Sequence, residues 1–234
     1  MTPIRQEIAN LKNPEKAKQL QRFFKTGKGE YGEGDIFLGL TVGEQRAIAK
    51  KFKDTPLEEL APLMKSKVHE ERLVSLLTLV QKFEKTKKET EKEKIYRFYL
   101  EHLEGVNNWD LVDLTAPKIV GAYLLNKKKD KLYKLAKSKD LWEKRISIIA
   151  TYNFIREKQF NDALAISEIL LEDKHDLIHK AVGWMLREVG NRNLETEEKF
   201  LKKHYKKMPR TMLRYAIEKF EENKRQAYLK GKIG

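Results

Sequence analysis

Cysteine is missing from this 234-residue chain, which excludes disulfides, thiolate metal sites and a cysteine nucleophile, and fits a reducing compartment. Proline and glycine number only 6 and 12, and no long Pro/Gly/Ser stretch marks a domain boundary. The longest apolar runs, such as LVSLLTLV at 73–80, fall well short of the roughly 20 residues that span a bilayer. The start, MTPIRQEIAN, lacks the apolar stretch of a signal peptide. These absences predict a soluble, cytoplasmic protein with no membrane partner.

What is present is a core and an excess of positive charge. Apolar residues make up 40% of the chain, enough to argue against disorder. Lysine and arginine total 49 against 35 acids, a formal net charge of +14. Such an excess favours polyanionic partners through counterion release, although a merely soluble, lysine-rich protein would share the composition.

Helix signals run almost end to end. Asn13-Pro14-Glu15 reads as an N-cap followed by proline at the first helical position. Thr41 to Glu44 and Thr55 to Glu58 both fit a capping box, with Pro56 repeating the proline signal. Apolar residues recur three and four apart, as at Leu73, Leu76, Leu77 and Val80, and two-residue alternation is lacking. The expectation is an all-α chain forming one continuous domain over residues 1–234.

The helices repeat. HEERLVSLL, NNWDLVDL, WEKRISII, IHKAVGWM and MLRYAIEKF share a register at Arg72, Trp109, Arg145, Lys180 and Arg214, with separations of 37, 36, 35 and 34 residues. Each segment is expected to open the second helix of a pair. That period marks an α-solenoid of HEAT-like, armadillo-type repeats. Equivalent positions of stacked repeats would align the bases along a concave groove suited to duplex DNA.

Two helices depart from plain packing. Lys180, Trp184, Arg187 and Asn191 share one face, and Trp109 shares another with Asp113. Burial between repeats would also account for the tryptophans, and a salt bridge to a groove base would account for Asp113. Asp110 is displaced from that face and suits a capping or ion-pair role.

Several sharper motifs give way to plainer readings. GKGEYG at 27–32 has dinucleotide-site glycine spacing but follows a helix, so it reads as a turn-rich loop. GDIFLGLT at 34–41 has P-loop spacing with Leu40 where lysine is required. HDLIH at 175–179 has the two-histidine spacing of a zinc helix without a third ligand. His69, His102 and His204 read as isolated surface or satisfied core residues. Neither a metal nor a cofactor is expected.

NNWDLVDLTAPKIVG, LWEKRISII, HKAVGWMLREVG and, near the front, GEGDIFLGL resemble the AlkD-like DNA glycosylases, the bacterial HEAT-like-repeat DNA alkylation repair family, over about residues 13–220. The resemblance implies stacked helical pairs around duplex DNA and hydrolysis of the N-glycosidic bond of N3- and N7-alkylated purines. It implies that Asp113 is the catalytic carboxylate, that Trp109 and Trp184 flank the lesion nucleotide, and that Arg145 contacts the lesion-proximal backbone. Arg187 falls where the family keeps a base. Phe23 and Phe24 lie where some members present a tyrosine, without its hydroxyl. Family members are understood to act without swinging the nucleotide fully into a pocket, unlike most glycosylases.

The chemistry suits an acid among bases. Glycoside hydrolysis usually employs two carboxylates, one of them protonating the leaving group. A purine alkylated at N3 or N7 is already cationic and leaves without a general acid, so one carboxylate suffices. The expected protein is therefore a monomeric alkylpurine glycosylase, nucleoid-associated when bound, with Lys180, Arg72 and Arg214 also on the backbone. A non-catalytic HEAT-repeat protein that recognises distorted or branched DNA is the alternative, and a protein-binding scaffold a further one.

Overall fold

The structure, a computed structural model, describes residues 2–233. They form two compact units, the first running to Tyr123 and the second starting at Leu124. Both are built from helices. Among the described residues the only extended pairing outside them is a single bridge between Ile36 and Val68. No described helix is long and apolar enough to cross a membrane.

The first unit contains α1 (Pro3–Asn10), α2 (Pro14–Phe23), α3 (Val42–Lys51), α4 (Leu57–Met64), α5 (His69–Lys85), α6 (Glu89–Glu101) and α7 (Trp109–Ala116). The expected starts of α2 and α3 are formed by side chains. Asn13 accepts from the Lys16 N–H at 3.0 Å. Thr41 and Glu44 close a reciprocal capping box that satisfies two otherwise orphaned donors. The box expected at Thr55 and Glu58 does not form. Pro56 itself occupies the N-cap in an extended conformation, so α4 starts at Leu57 and Thr55 lies one residue too early.

Helix α5 is the centre of this unit, packing against α3, α4, α6 and α7. It is buried along most of its length, and even its opening His69, Glu70 and Arg72 are in the core. Beyond α7 the chain passes through a π-helical segment (Pro117–Gly121) into a last short turn, α8 (Ala122–Leu124). Pro117 has no N–H to donate to the carbonyl four residues back, and a widened turn is the usual accommodation of such a break.

The GDIFLGLT segment wraps the start of α5. Its backbone N–H groups at Leu38, Gly39 and Leu40 all donate to the fully buried Glu70 carboxylate. The loop thus cradles an anion, and the anion is the protein's own. Gly39 has φ of +96°, and a Cβ there would lie 2.1 Å from the Asn13 carbonyl oxygen, so only glycine fits.

The second unit holds α9 (Asp130–Ala136), α10 (Leu141–Ala150), α11 (Tyr152–Arg156), α12 (Asn161–Ile169), α13 (Asp176–Gly190), α14 (Leu194–His204), α15 (Arg210–Ala216) and α16 (Glu222–Leu229). Here α13 is central, packing on α10, α12, α14 and α15. Gly183 permits a close approach of α15: a Cβ there would meet both the Met212 carbonyl and the Tyr215 Cβ at 2.5 Å.

The five repeated segments open α5, α7, α10, α13 and α15. Within the first unit α5 packs on α7, and within the second α10 packs on α13 and α13 on α15. The pairs α4/α5, α9/α10 and α12/α13 also pack together. The chain is all-α, consistent with an α-solenoid of helical repeats.

Candidate functional site

Helix α7 begins in a buried polar cluster. The Asn108 side chain accepts from the Trp109 N–H at 2.8 Å. Asp110 accepts from the Leu111 N–H at 2.9 Å through Oδ1, and its Oδ2 stands 2.9 Å from Nε2 of His69. The other ring nitrogen of His69 is 3.2 Å from Asp35, whose second oxygen accepts from Arg72 at 2.7 Å. Arg72 also donates to the Ser66 carbonyl. Asp35 reaches this position because Ile36 bridges to the start of α5.

Two acids and two bases are thus shut away from water together. Burial pushes the His69 pKa down, but Asp110 and Asp35 outweigh it and hold His69 above its ordinary value. Burial likewise pushes Asp35 up, and His69 with Arg72 turns the balance, holding it below the usual carboxylate range. The two acids flanking the ring favour its protonated form. The expected ion-pair role of Asp110 is what the fold shows. His69 is more than a satisfied core histidine, since it ties α5 to α7.

Arg72 is corrected by the same geometry. It was expected to line a DNA groove, but it is 2% exposed and committed to Asp35. The HEER segment enters the core instead of facing solvent, because α5 is surrounded by other helices.

An aromatic file runs from this cluster to the surface. His69 stacks on Phe37 with ring centroids 4.4 Å apart, Phe37 on Phe24 at 4.9 Å, and Phe24 on Trp109 at 5.1 Å. Exposed Phe23 meets Trp109 edge-on at 5.8 Å. The file forms one wall of a cavity of about 320 Å³, whose margins include Gln45, Leu114 and Asp113. Asp113, half-buried, lies one turn beyond Trp109 on α7. Burial, together with the charge of Asp113, raises the pKa of the Tyr99 hydroxyl on the neighbouring helix. Trp109, Asp113, Phe23 and Phe24 are therefore brought together. Phe37 and Gln45 belong to the same cavity and were not singled out from sequence, since nothing local distinguishes them from packing residues.

The remaining candidates belong to the second unit. On α13 the face carrying Lys180, Trp184, Arg187 and Asn191 stays out of the core, which is made by Ile178, Ala181, Val182, Met185, Leu186 and Val189. Its charges are not left bare. Lys180 pairs with Asp176 at 2.7 Å and Arg187 with Glu218, while the Trp184 indole donates to Glu188 at 3.3 Å. Arg145 is 5% exposed and donates to the Leu177 carbonyl, so it too departs from the expected open stripe of bases. Arg214 is exposed on α15. In HDLIH, His175 caps α13 by accepting from the Leu177 N–H, and His179 bonds the Asp173 carbonyl. No cluster of three metal-ligating side chains occurs among the described residues.

The sequence matches a family model described as DNA alkylation repair enzyme over residues 4–220. Comparison with curated proteins finds no match. Among solved structures, the chain is similar to one described as a predicted DNA alkylation repair enzyme from Enterococcus faecalis. The TM-score is 0.68 at 17% identity, over 90% of this chain and 97% of that one. At that identity the likeness shows a shared fold alone.

Proposed function

Because this chain belongs to the DNA alkylation repair enzyme family, we propose that it is a DNA glycosylase that hydrolyses the N-glycosidic bond of cationic N3- or N7-alkylated purines in duplex DNA. The observation that carries the reading is the pairing of Asp113 with the aromatic surface of Trp109, one turn apart on a helix whose start is clamped by buried charge. The nearby Asp110 is spent on His69 and buried, so it is not available to protonate a leaving group. A site with one working carboxylate suits a leaving group that is already cationic.

In this mechanism ionised Asp113 stabilises the positive charge that develops on the deoxyribose and orients water toward C1′. As the bond breaks, its electron pair neutralises the departing purine, and water supplies the hydroxyl at C1′ with loss of a proton. Trp109 offers ring surface to the cationic nucleotide, and exposed Phe23 extends that surface beside it; Trp184, on the second unit, is assigned by itself to the bound DNA. Arg145, buried and bonded to the Leu177 carbonyl, is assigned to holding α10 against α13 instead of to the DNA backbone. Lys180, Arg187 and Arg214 serve the flanking phosphates, the first two by exchanging a carboxylate partner for a phosphate. The reading treats both units as one repair domain, supported by a family match that spans them. It needs neither metal nor cofactor, and it implies a monomer located with the nucleoid in the cytoplasm.

The test is release of free base from duplex DNA carrying N7-methylguanine or N3-methyladenine, comparing the native protein with Asp113→Asn. Release by the native protein alone supports the assignment. Tight duplex binding without release from either lesion selects the non-catalytic DNA-binding alternative.

A further inference from the structure

A cleft of about 500 Å³ opens at the end of α5 away from His69. It lies between the loop joining α3 to α4 and the loop joining α5 to α6, which come together because α3, α4 and α6 all pack on α5. Five of its ten lining residues are lysines: Lys53, Lys82, Lys85, Lys87 and Lys88. The Lys82 ammonium donates to the Lys53 carbonyl at 3.4 Å, tying α5 to the first loop. Both acids of the cleft are already neutralised, Asp54 by Lys85 at 3.3 Å and Glu91 by Lys94 at 3.0 Å. Among the described residues no carboxylate pairs with Lys53, Lys82, Lys87 or Lys88. Cations gathered in a concavity repel one another and focus their field on whatever anion enters. The bases of the repeat register supply little free charge by comparison, because Arg72 and Arg145 are buried and Lys180 and Arg187 are paired.

We propose that this cleft docks the phosphate backbone of undamaged duplex DNA, as a surface separate from the one beside Trp109. At 1.5 Å per residue, α5 separates the cleft from His69 by about 24 Å. The lining contains neither arginine nor an aromatic ring. Lysine attracts phosphate as a compact charge without the planar fork that reads a base edge, and no ring is present on which a base could stack. The contact is therefore to the backbone and independent of sequence. Of the two apolar lining residues, Ile95 is buried and Leu57 half-buried, so the cleft lacks the exposed apolar anchor that engages a lipid surface.

The proposal rests on reading the chain as a protein that acts on DNA, and it is independent of base release. A duplex held in the cleft is captured whether or not it carries a lesion, and these lysines supply part of the salt dependence of binding.

The test measures binding of an undamaged duplex to the full chain by fluorescence anisotropy over a range of salt. The combined variant Lys53→Gln, Lys82→Gln, Lys87→Gln and Lys88→Gln is expected to bind at least tenfold more weakly. Its slope of log K against log salt should be lower by about 2 or more, at roughly 0.9 per phosphate contact. A control combining Lys128→Gln, Lys134→Gln, Lys137→Gln and Lys139→Gln removes the same charge from exposed positions of the second unit, and it should weaken binding less than threefold. Equal weakening by the two variants, or none by the first, would overturn the proposal. Because the chain has no cysteine, Lys87→Cys and Lys137→Cys each provide a unique thiol. Undamaged duplex bearing an activated disulfide on a backbone phosphate should couple to Lys87→Cys at least tenfold faster than to Lys137→Cys, each rate taken relative to the same disulfide free of DNA. Equal relative rates would overturn the proposal even if the combined variant fails to fold. Base release from alkylated duplex is read separately on the native protein. Selective coupling without base release keeps the docking surface and removes the glycosylase reading, while release without selective coupling does the reverse.

Discussion

His69 Nε2 lies 2.9 Å from Oδ2 of Asp110, joining the first residue of α5 to the second residue of α7 inside the core. Since Asp110 precedes Asp113 by less than one turn, this contact sets where the proposed catalytic carboxylate stands. Arg72 and Asp35 complete the charge balance. Removing one partner leaves an uncompensated buried charge, which typically costs about 3–5 kcal/mol.

His69→Ala is accordingly expected to lower stability by about 3–5 kcal/mol, read as the urea midpoint of the first unit. The native chain should also show a pH signature. With its pKa raised in the folded state, His69 contributes fully below its ordinary value near 6.5, and the contribution is lost as pH rises through the raised value. Asp35, depressed in the folded state, contributes above its ordinary value of 3.8 and loses that contribution as pH falls through the lowered one. A urea midpoint that His69→Ala leaves in place would remove the network from the stability of α5 and α7.

Glu197, 1% exposed on α14, has its pKa pushed up to about 9, chiefly by burial and further by the nearby Glu198. The folded state then holds a proton that the unfolded state gives up near 4.5. Stability must fall as pH rises between these values, because the native state binds more protons there. Glu197→Gln should raise the melting temperature at pH 8 by several degrees and flatten the decline between pH 5 and 9. An unchanged pH profile in the variant would show that Glu197 ionises normally.

Asp113→Asn keeps the shape of the side chain and removes its charge. Base release should fall by a factor of about 100 or more, the scale of losing one preorganised electrostatic partner. Duplex affinity should be kept or slightly improved, since an anion is removed from the site. Affinity lost in proportion to activity would assign Asp113 to structure.

Arg214 and Arg72 occupy the same register of the repeat but opposite environments. Arg214→Ala should weaken duplex binding and reduce the salt slope of log K by roughly 0.9, the release expected for one phosphate contact. Arg72→Ala should leave that slope unchanged and instead destabilise the first unit. Equal salt slopes for native protein and Arg214→Ala would take this residue off the DNA.

Helix content and the caps at Asn13 and Thr41 were legible because they depend on neighbours within a few residues. The shared face of Trp109 and Asp113 follows from the same local periodicity. The box at Thr55 failed because proline at the N-cap shifted the start of α4 by one residue, a choice between two adjacent local signals.

Burial was decided by the tertiary structure. Arg72 and Arg214 are alike in sequence register, yet one is enclosed because α5 is surrounded by other helices, and the other stands on an exposed flank. The pairing of His69 with Asp35 and Asp110, 34 and 41 residues away, has no local signature. Periodicity determines which residues share a face of a helix; only the packing of that helix among the others determines whether the face meets water, a charge or a cavity.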